Sequence, residues 1–357
     1  MKEKSELGKG IILEPRQKYP AKPNPRKKYG VIVIGAGMAG YSAAMYCGRL
    51  GISVLCIGEI PGGTIALTGD VENYPGFISV NGSRLAGLLE GHARDYPSDF
   101  LTDIAESVSF DRAKKEFRVI SDGKAFHSKA IIFAAGARVR KLGIPGEEEF
   151  LGKGVSYCAL CDLTQAKGKV AAVAGGGDSA AKEAIILSEY ARKVYIICRE
   201  NALRAEFANR KKIEALVKKG KVELISENEA VRLEGKNHLE KIVLKKPYKG
   251  TAGLSAAWLF IYVGREPNSG IVKHLGVKIN RKKEIIVDKN GKTNLAGFFA
   301  AGDVTDNSPK QAITAAADGV KAAYSAYNYL IRENGVQFGK RRGFWNPAGR
   351  NREVPYN

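Results

Sequence analysis

The chain has 357 residues, 44% of them hydrophobic, and a formal net charge of +20; that length allows two or three domains at about 150 residues each. Its longest apolar run, near residues 253–264, is too short to span a bilayer, and Met1-Lys-Glu-Lys-Ser-Glu has no apolar segment of a secretory signal. Five cysteines with no dense framework exclude a disulfide-stapled secreted scaffold and point to a reducing compartment, the cytoplasm.

Residues 1–29 hold nine Lys/Arg against three Glu among Pro15, Pro20, Pro23 and Pro25, with no helical or strand period, and are expected to form a basic, flexible N-terminal extension. Gly30-Val-Ile-Val-Ile-Gly35 is a short apolar run that predicts a buried parallel strand. It leads at once into Gly35-Ala-Gly37-Met-Ala-Gly40, an alanine-rich helix over 41–50 and a second apolar strand over 52–57. A Gly-x-Gly-x-x-Gly alone is weak, but between strand and helix it reads as a dinucleotide fingerprint. Its glycines permit a tight turn and let backbone N–H groups approach a pyrophosphate. Glu59, 19 residues beyond Gly40, is placed to bind a ribose, for which an acidic residue about 20 positions on is the usual choice.

Pro61, Pro75 and the glycines between 62 and 76 predict an irregular, ligand-contacting loop, followed by a helix over 83–95. Strands are expected over 115–120 and 129–133, the second closing on Ala134-Ala-Gly136-Ala137. Then comes Tyr157-Cys158-Ala159-Leu160-Cys161-Asp162. Cys-x-x-Cys alone could be half a zinc site, a redox pair or two buried thiols. Zinc wants four ligands, and neither Cys47, Cys56 and Cys198 nor the four histidines stand at ligand spacing from the pair. Cys47, Cys56 and Cys198 are expected to be small core residues.

A second fingerprint follows the pair. A strand over 169–174, Gly175-Gly-Gly177-Asp178-Ser179-Ala180, a helix over 181–190 and a strand over 194–198 repeat the βαβ pattern about 140 residues after the first. Farther on lie a basic helix and strand within 202–230, a strand over 258–263, the apolar segment Phe298-Phe-Ala-Ala-Gly302-Asp303, a long helix over 311–330 and a basic tail, 332–357. Two nucleotide sites flanking a disulfide-capable pair suggest an electron relay from nicotinamide through flavin to the cysteines.

Gly-Gly-Thr64, Val71-Glu-Asn73-Tyr-Pro-Gly76, Ala-Ala-Gly136-Ala, Cys158-Ala-Leu-Cys161-Asp162, Gly175-Gly-Gly-Asp-Ser-Ala180 and Ala-Ala-Gly302-Asp303 with Lys310-Gln311-Ala312 stand in the order seen in low-molecular-weight thioredoxin reductases. The resemblance covers about residues 30–330. It implies an α/β fold with two Rossmann-like nucleotide-binding domains: a discontinuous FAD domain over 30–137 and 266–331, and an NAD(P) domain over 138–265 inserted in it and carrying the disulfide. It further implies that this inserted domain swings, alternately offering the disulfide and the nicotinamide to the flavin, and that the enzyme is a homodimer.

By the same resemblance, Cys161 faces the flavin, Cys158 attacks the disulfide of a thioredoxin or thioredoxin-like protein, and Asp162 moves protons to and from the thiols. Gly35, Gly37 and Gly40 hold the FAD pyrophosphate, and Asn73, Asp303, Gln311 and Ala312 contact ribitol or isoalloxazine. Gly63, Thr64, Gly136, Gly302 and Lys310 belong to the same cofactor lining; Gly175, Gly177, Asp178, Ser179 and Ala180 belong to the nucleotide turn. Several positions depart from the family pattern. Thr64 stands where Gln is frequent, Leu163 where a small residue is usual, and Lys310 where Arg is usual. Cys198-Arg199-Glu200, with Arg204 farther on, stands where His-Arg-Arg is frequent. Arg199 and Arg204 suit a 2′-phosphate and Glu200 opposes one, so NADPH is expected with a weakened preference over NADH.

Alternatives on the same scaffold are a flavin dithiol oxidase and a ferredoxin-type NAD(P) reductase, although the latter has no need of the cysteine pair. Charge of this size attracts acidic partners but specifies none. The termini carry Tyr19, Tyr29, Phe338, Phe344, Trp345 and Tyr356 among their basic residues, but the sequence shows no recognised nucleic-acid module, which argues against nucleic acid.

Overall fold

A computed structural model describes residues 23–334, apart from the side chains of Asp70, Leu160, Cys161, Glu333 and Asn334. The chain divides into two compact units. Among the described residues the first comprises 23–66, 70–136 and 269–334; the second comprises 67–69 and 137–268.

The first unit opens with β1 (Lys28–Ile34), in which Val31 to Ile34 are 0–4% exposed; only a strand covered on both faces carries such an unbroken apolar run. Helix α1 (Met38–Arg49) follows, starting three residues before the alanine-rich run because Gly37 supplies the extended N-cap. β2 (Val54–Ile57) pairs in parallel with β1. β3 (Asp70–Val71) and β4 (Val80–Asn81) form a small antiparallel pair. Helix α2 (Gly82–Arg94) is capped by Asn81, whose Oδ1 accepts from the Ser83 N–H at 3.1 Å. β5 (Ser98–Leu101) adds to β2 in parallel. β6 (Ser107–Asp111), β7 (Glu116–Ser121) and β8 (Lys124–Phe133) form an antiparallel meander whose last strand also pairs in parallel with β1.

The second unit repeats the plan. β9 (Ala137–Val139), β10 (Val155–Ser156) and the single turn α3 (Ala159–Asp162) precede β11 (Val170–Ala174), α4 (Asp178–Tyr190), β12 (Lys193–Ile197), α5 (Phe207–Lys218) and β13 (Val222–Ile225). β14 (Ala230–Gly235), β15 (Leu239–Tyr248) and β16 (Thr251–Ser255) are an antiparallel meander, and β17 (Trp258–Ile261) returns to the sheet before β18 (Arg265–Pro267) pairs with β9. The sheet order is β10-β17-β11-β12-β13, all parallel. The chain then returns to the first unit. β19 (Phe298–Ala300) joins β8 in parallel, and α6 (Ala312–Asn334) packs on α1. Gly319 makes that contact possible: a Cβ there would lie 2.1 Å from Ala39 O.

Two expectations change. Part of the segment expected as a free arm is fixed: Tyr29 is buried, and its hydroxyl donates to Asp99 Oδ2 at 2.8 Å while Lys27 Nζ reaches the same oxygen at 2.7 Å. Residues 1–22 and 335–357, with most of the basic extensions, lie outside the described residues. The loop expected to be irregular holds a 3-10 turn, Gly63–Leu67, and β3; the proline and glycine signals limit element length without preventing a single turn or a two-residue pairing. No described helix is long and apolar enough to cross a membrane.

Candidate functional site

In the first unit the glycines form a bare backbone turn at the carboxyl end of β1. Gly35 has φ +117°, a conformation open to glycine, and a Cβ there would lie 2.0 Å from Ala134 O. On Gly40 it would lie 1.7 Å from Gly35 O, so only glycine lets α1 start this close to β1. No side chain caps α1, which leaves its first N–H groups for an anion. The Gly62–Gly63 pair closes on this turn: Gly62 N–H donates to Ala36 O at 2.8 Å, Gly37 and Gly62 form a β-bridge, and a Cβ on Gly63 would lie 2.9 Å from Gly37 Cα.

The other residues singled out in this unit have separate local settings. Glu59 is exposed two residues past β2, and Thr64 is exposed in the 3-10 turn. Asn73 Nδ2 donates to Gln311 Oε1 at 3.1 Å across 238 residues of sequence. Gly136 and Gly302 have φ of +62° and +75°. Asp303 lies in the 3-10 turn Gly302–Val304, and Ala312 opens α6. Lys310 reaches Glu284 Oε1 at 3.3 Å and also bonds Thr305 O, so its ammonium is engaged within its own unit.

The second unit builds a matching turn with different chemistry. Gly175 has φ +142°, Gly177 is the N-cap of α4 with no side-chain cap, and Ala180 is buried where the first unit has Gly40. The backbone of Arg204 lies along the turn: its N–H donates to Gly176 O at 2.7 Å, and it bridges Gly177. Arg204 Nη2 pairs with Glu200 Oε1 at 2.6 Å, and Glu200 Oε2 stands 3.1 Å from the Cβ position of Gly176. A carboxylate and a guanidinium are therefore paired beside the second glycine turn. Arg199 and Ser179 are exposed. Asp178 Oδ1 instead accepts from the Glu206 N–H at 2.9 Å and Asn209 Nδ2 at 2.8 Å, bracing the start of α5.

The cysteine pair is in this unit. Cys158 is disulfide-bonded, whereas Cys47, Cys56 and Cys198 are free and buried, as expected of core residues. Burial pushes the Cys56 thiol up to about 12 and the Cys47 thiol higher still, so neither is a nucleophile near neutral pH. The Cys158 N–H donates to Ser156 Oγ at 3.0 Å, and Ser156 Oγ donates back to Cys158 O at 3.1 Å. Tyr157 donates to Glu147 Oε1 at 2.7 Å, and Gln165 Nε2 to Asp162 Oδ1 at 3.1 Å. The side chain of Cys161 lies outside the described residues.

Two groups beside the pair went unmarked in the sequence. The Ala159 N–H donates to the Tyr262 hydroxyl at 3.0 Å, and Tyr262 is also hydrogen-bonded to Glu183. No motif signals either; both come to α3 only through the fold.

The pyridine nucleotide-disulphide oxidoreductase family matches residues 29–319 of this chain. The chain is 39% identical to a thioredoxin reductase of Bacillus subtilis over 315 residues, covering 85% of this chain and 95% of the relative. It is also 39% identical to a thioredoxin reductase of Listeria innocua over 310 residues, covering 85% and 94%. Among solved structures it matches Lactococcus lactis thioredoxin reductase with TM-score 0.80 at 33% identity over 85% of this chain and 99% of that one. T. acidophilum thioredoxin reductase matches with TM-score 0.79 at 34% identity over 86% and 100%. The chain belongs to the pyridine nucleotide-disulphide oxidoreductases and, within them, to the low-molecular-weight thioredoxin reductases.

Proposed function

We propose that this protein is an NAD(P)H-dependent thioredoxin-disulfide reductase that passes two electrons through FAD and a Cys158–Cys161 disulfide to a thioredoxin-like protein. The observation that carries it is the disulfide-bonded Cys158 beside α3, in the same unit as the second glycine turn and in a chain with a second such turn. Both turns fit a dinucleotide pyrophosphate, because each joins a glycine-rich backbone to a helix N-terminus that no side chain caps. The first unit is the FAD domain and the second the NAD(P) domain.

FAD and a nicotinamide held at these turns would supply hydride and two-electron chemistry to a disulfide. The rest falls to the chain. Gly35, Gly37 and Gly40 bring α1 to the FAD pyrophosphate and Glu59 takes the ribose hydroxyls, while Gly63, Thr64, Asn73, Gly136, Gly302, Asp303, Lys310, Gln311 and Ala312 line the rest. Gly175, Gly177, Ser179 and Ala180 receive the second pyrophosphate; Arg199, Glu200 and Arg204 meet its ribose.

Reduction of the Cys158–Cys161 disulfide consumes two electrons and two protons. Cys158 then attacks the partner's disulfide as the thiolate, which forms a mixed disulfide and expels one partner thiolate. Cys161 attacks Cys158, expels the second partner thiolate and restores the intrachain bond. Asp162, at the end of α3, carries protons to and from these sulfurs. NADPH is the expected nucleotide, with a preference weakened by Glu200. The working form is a homodimer in the cytoplasm, a compartment that suits three buried free thiols.

The test is to purify the protein, measure FAD per chain and follow NADPH and NADH oxidation with thioredoxin. A yellow protein with one FAD that reduces thioredoxin is expected. A folded, colourless protein that takes up no FAD would overturn the proposal, and light scattering in solution checks the dimer.

A further inference from the structure

Glu183 and Tyr262 take no part in the steps above, yet they stand beside the turn that carries the cysteines. Tyr262 follows β17, and its backbone is fixed to the second glycine turn. Its N–H donates to Ala174 O at 2.7 Å, and its carbonyl oxygen lies 2.3 Å from the Cβ position of Gly175. Its hydroxyl accepts from the N–H of Ala159 at 3.0 Å; Ala159 is fully buried and opens α3 directly after Cys158. The same hydroxyl is hydrogen-bonded to Glu183 of α4. A phenol has one proton. Having accepted from Ala159, it donates that proton to the carboxylate. Among the described residues Glu183 Oε2 is buried with no hydrogen-bond partner.

We propose that Glu183 is a positioning residue for the redox turn, holding the Tyr262 hydroxyl, which holds the Ala159 N–H and with it the backbone between Cys158 and Cys161. The inference rests on the function proposed above. A hydrogen bond to a carboxylate is roughly twice as strong as one to a neutral acceptor, so the charged carboxyl fixes the turn in the disulfide-bonded geometry seen here. Protonation of Glu183 removes that charge and loosens the relay.

Burial raises the Glu183 carboxyl to about 7, against the lowering effects of its bond from Tyr262 and of the Lys182 charge. The charged groups that face the relay are Lys182, whose Nζ is paired with Asp178 Oδ2 at 3.0 Å, and, on the Tyr262 side, Arg265. Because the folded value is raised, the carboxyl is neutral below about 7 and charged above it. The disulfide should therefore become harder to reduce as pH rises through that value.

The experiment uses the full-chain flavoprotein. It is equilibrated with thiol/disulfide buffers between about pH 6 and pH 8, and the dithiol fraction is read by alkylation and mass. Wild type and Glu183→Gln should agree at the acid end and diverge several-fold in dithiol-to-disulfide ratio at the alkaline end, with wild type less reduced. Tyr262→Phe, which cuts the relay but keeps the acid, should follow Glu183→Gln, and Glu183→Asp should retain a pH-dependent divergence. A purely structural role would lower the melting temperature and leave the profiles superimposed, and superimposed profiles overturn the proposal. If the wild-type pair shows no dithiol–disulfide equilibrium at all, the function proposed above falls with it.

Discussion

The two glycine turns share a topology and differ in what surrounds them. Each lies between a buried strand and an uncapped helix, and each N-cap glycine is bridged by a segment from beyond the second strand: Gly37 by Gly62, Gly177 by Arg204. In the first turn that segment is a glycine pair, so bare backbone faces bare backbone, and Gly40 lets α1 start against Gly35 O. In the second turn it brings Arg204 with Glu200, and Ala180 replaces the third glycine. A turn walled by backbone grips by shape, with little tolerance for an added atom. A turn walled by opposite charges discriminates by the charge of what it binds, and substitution there changes selectivity more than stability.

The largest effect should come from breaking the tight turn. Gly40→Ala places a Cβ 1.7 Å from a carbonyl oxygen, and overpacking costs ~1–3 kcal/mol, with a clash against backbone at the upper end of that range. The variant should lose FAD and melt well below wild type. A yellow, wild-type-like protein would mean that the turn yields more easily than its geometry implies.

Next comes an acid-sensitive brace found in the second unit. Glu223 on β13 is bonded by Lys193, Lys249 and Tyr248. Burial works against its charge, but those hydrogen bonds outweigh it and hold the carboxyl down to about 2. A lowered folded value gives stability that is present above about 4.5, the ordinary value, and is lost as pH falls toward about 2. Discounted for partial exposure, that is roughly 2 kcal/mol. Acid denaturation of wild type and Glu223→Gln should converge across this range, with wild type the more stable only on its neutral side.

The charged wall sets the third effect. Glu200→Arg removes a carboxylate near the ribose position and should raise the NADPH-to-NADH ratio of kcat/KM about tenfold, worth ~1.4 kcal/mol; Arg199→Ala should lower it. An unmoved ratio would detach Glu200 from nucleotide choice. The smallest effect on nucleotide handling is the converse of the first: Ala180→Gly should cost about 1 kcal/mol of helix propensity and about 0.8 kcal/mol for its buried methyl, and leave nucleotide binding intact.

Much of this was legible in the sequence because it is local. The strand–glycine–helix pattern at 30–50 and 169–190 and the spacing of Cys158 and Cys161 needed no long-range information. The Asn73–Gln311 bond joins residues that the motifs had marked separately. What escaped depends on distant contacts. Nothing near Tyr262 shows that its hydroxyl will meet Ala159, 103 residues earlier. Asp178 stands in the second glycine turn, as its motif indicates, but its bracing of Glu206 and Asn209 depends on residues about 30 positions away. The β14–β16 meander is obscured because exposed charges such as Lys245 and Lys246 interrupt the apolar alternation, and its register slips at bulges.

The most direct test of electron passage through the cysteines is anaerobic reduction of Cys158→Ser and Cys161→Ser by NAD(P)H, followed by thioredoxin. Flavin bleaching should persist in both variants while thioredoxin reduction is abolished, and only Cys161→Ser should trap the partner in a mixed disulfide, through Cys158. Wild-type thioredoxin reduction by either variant would remove the pair from the electron path and contradict the account.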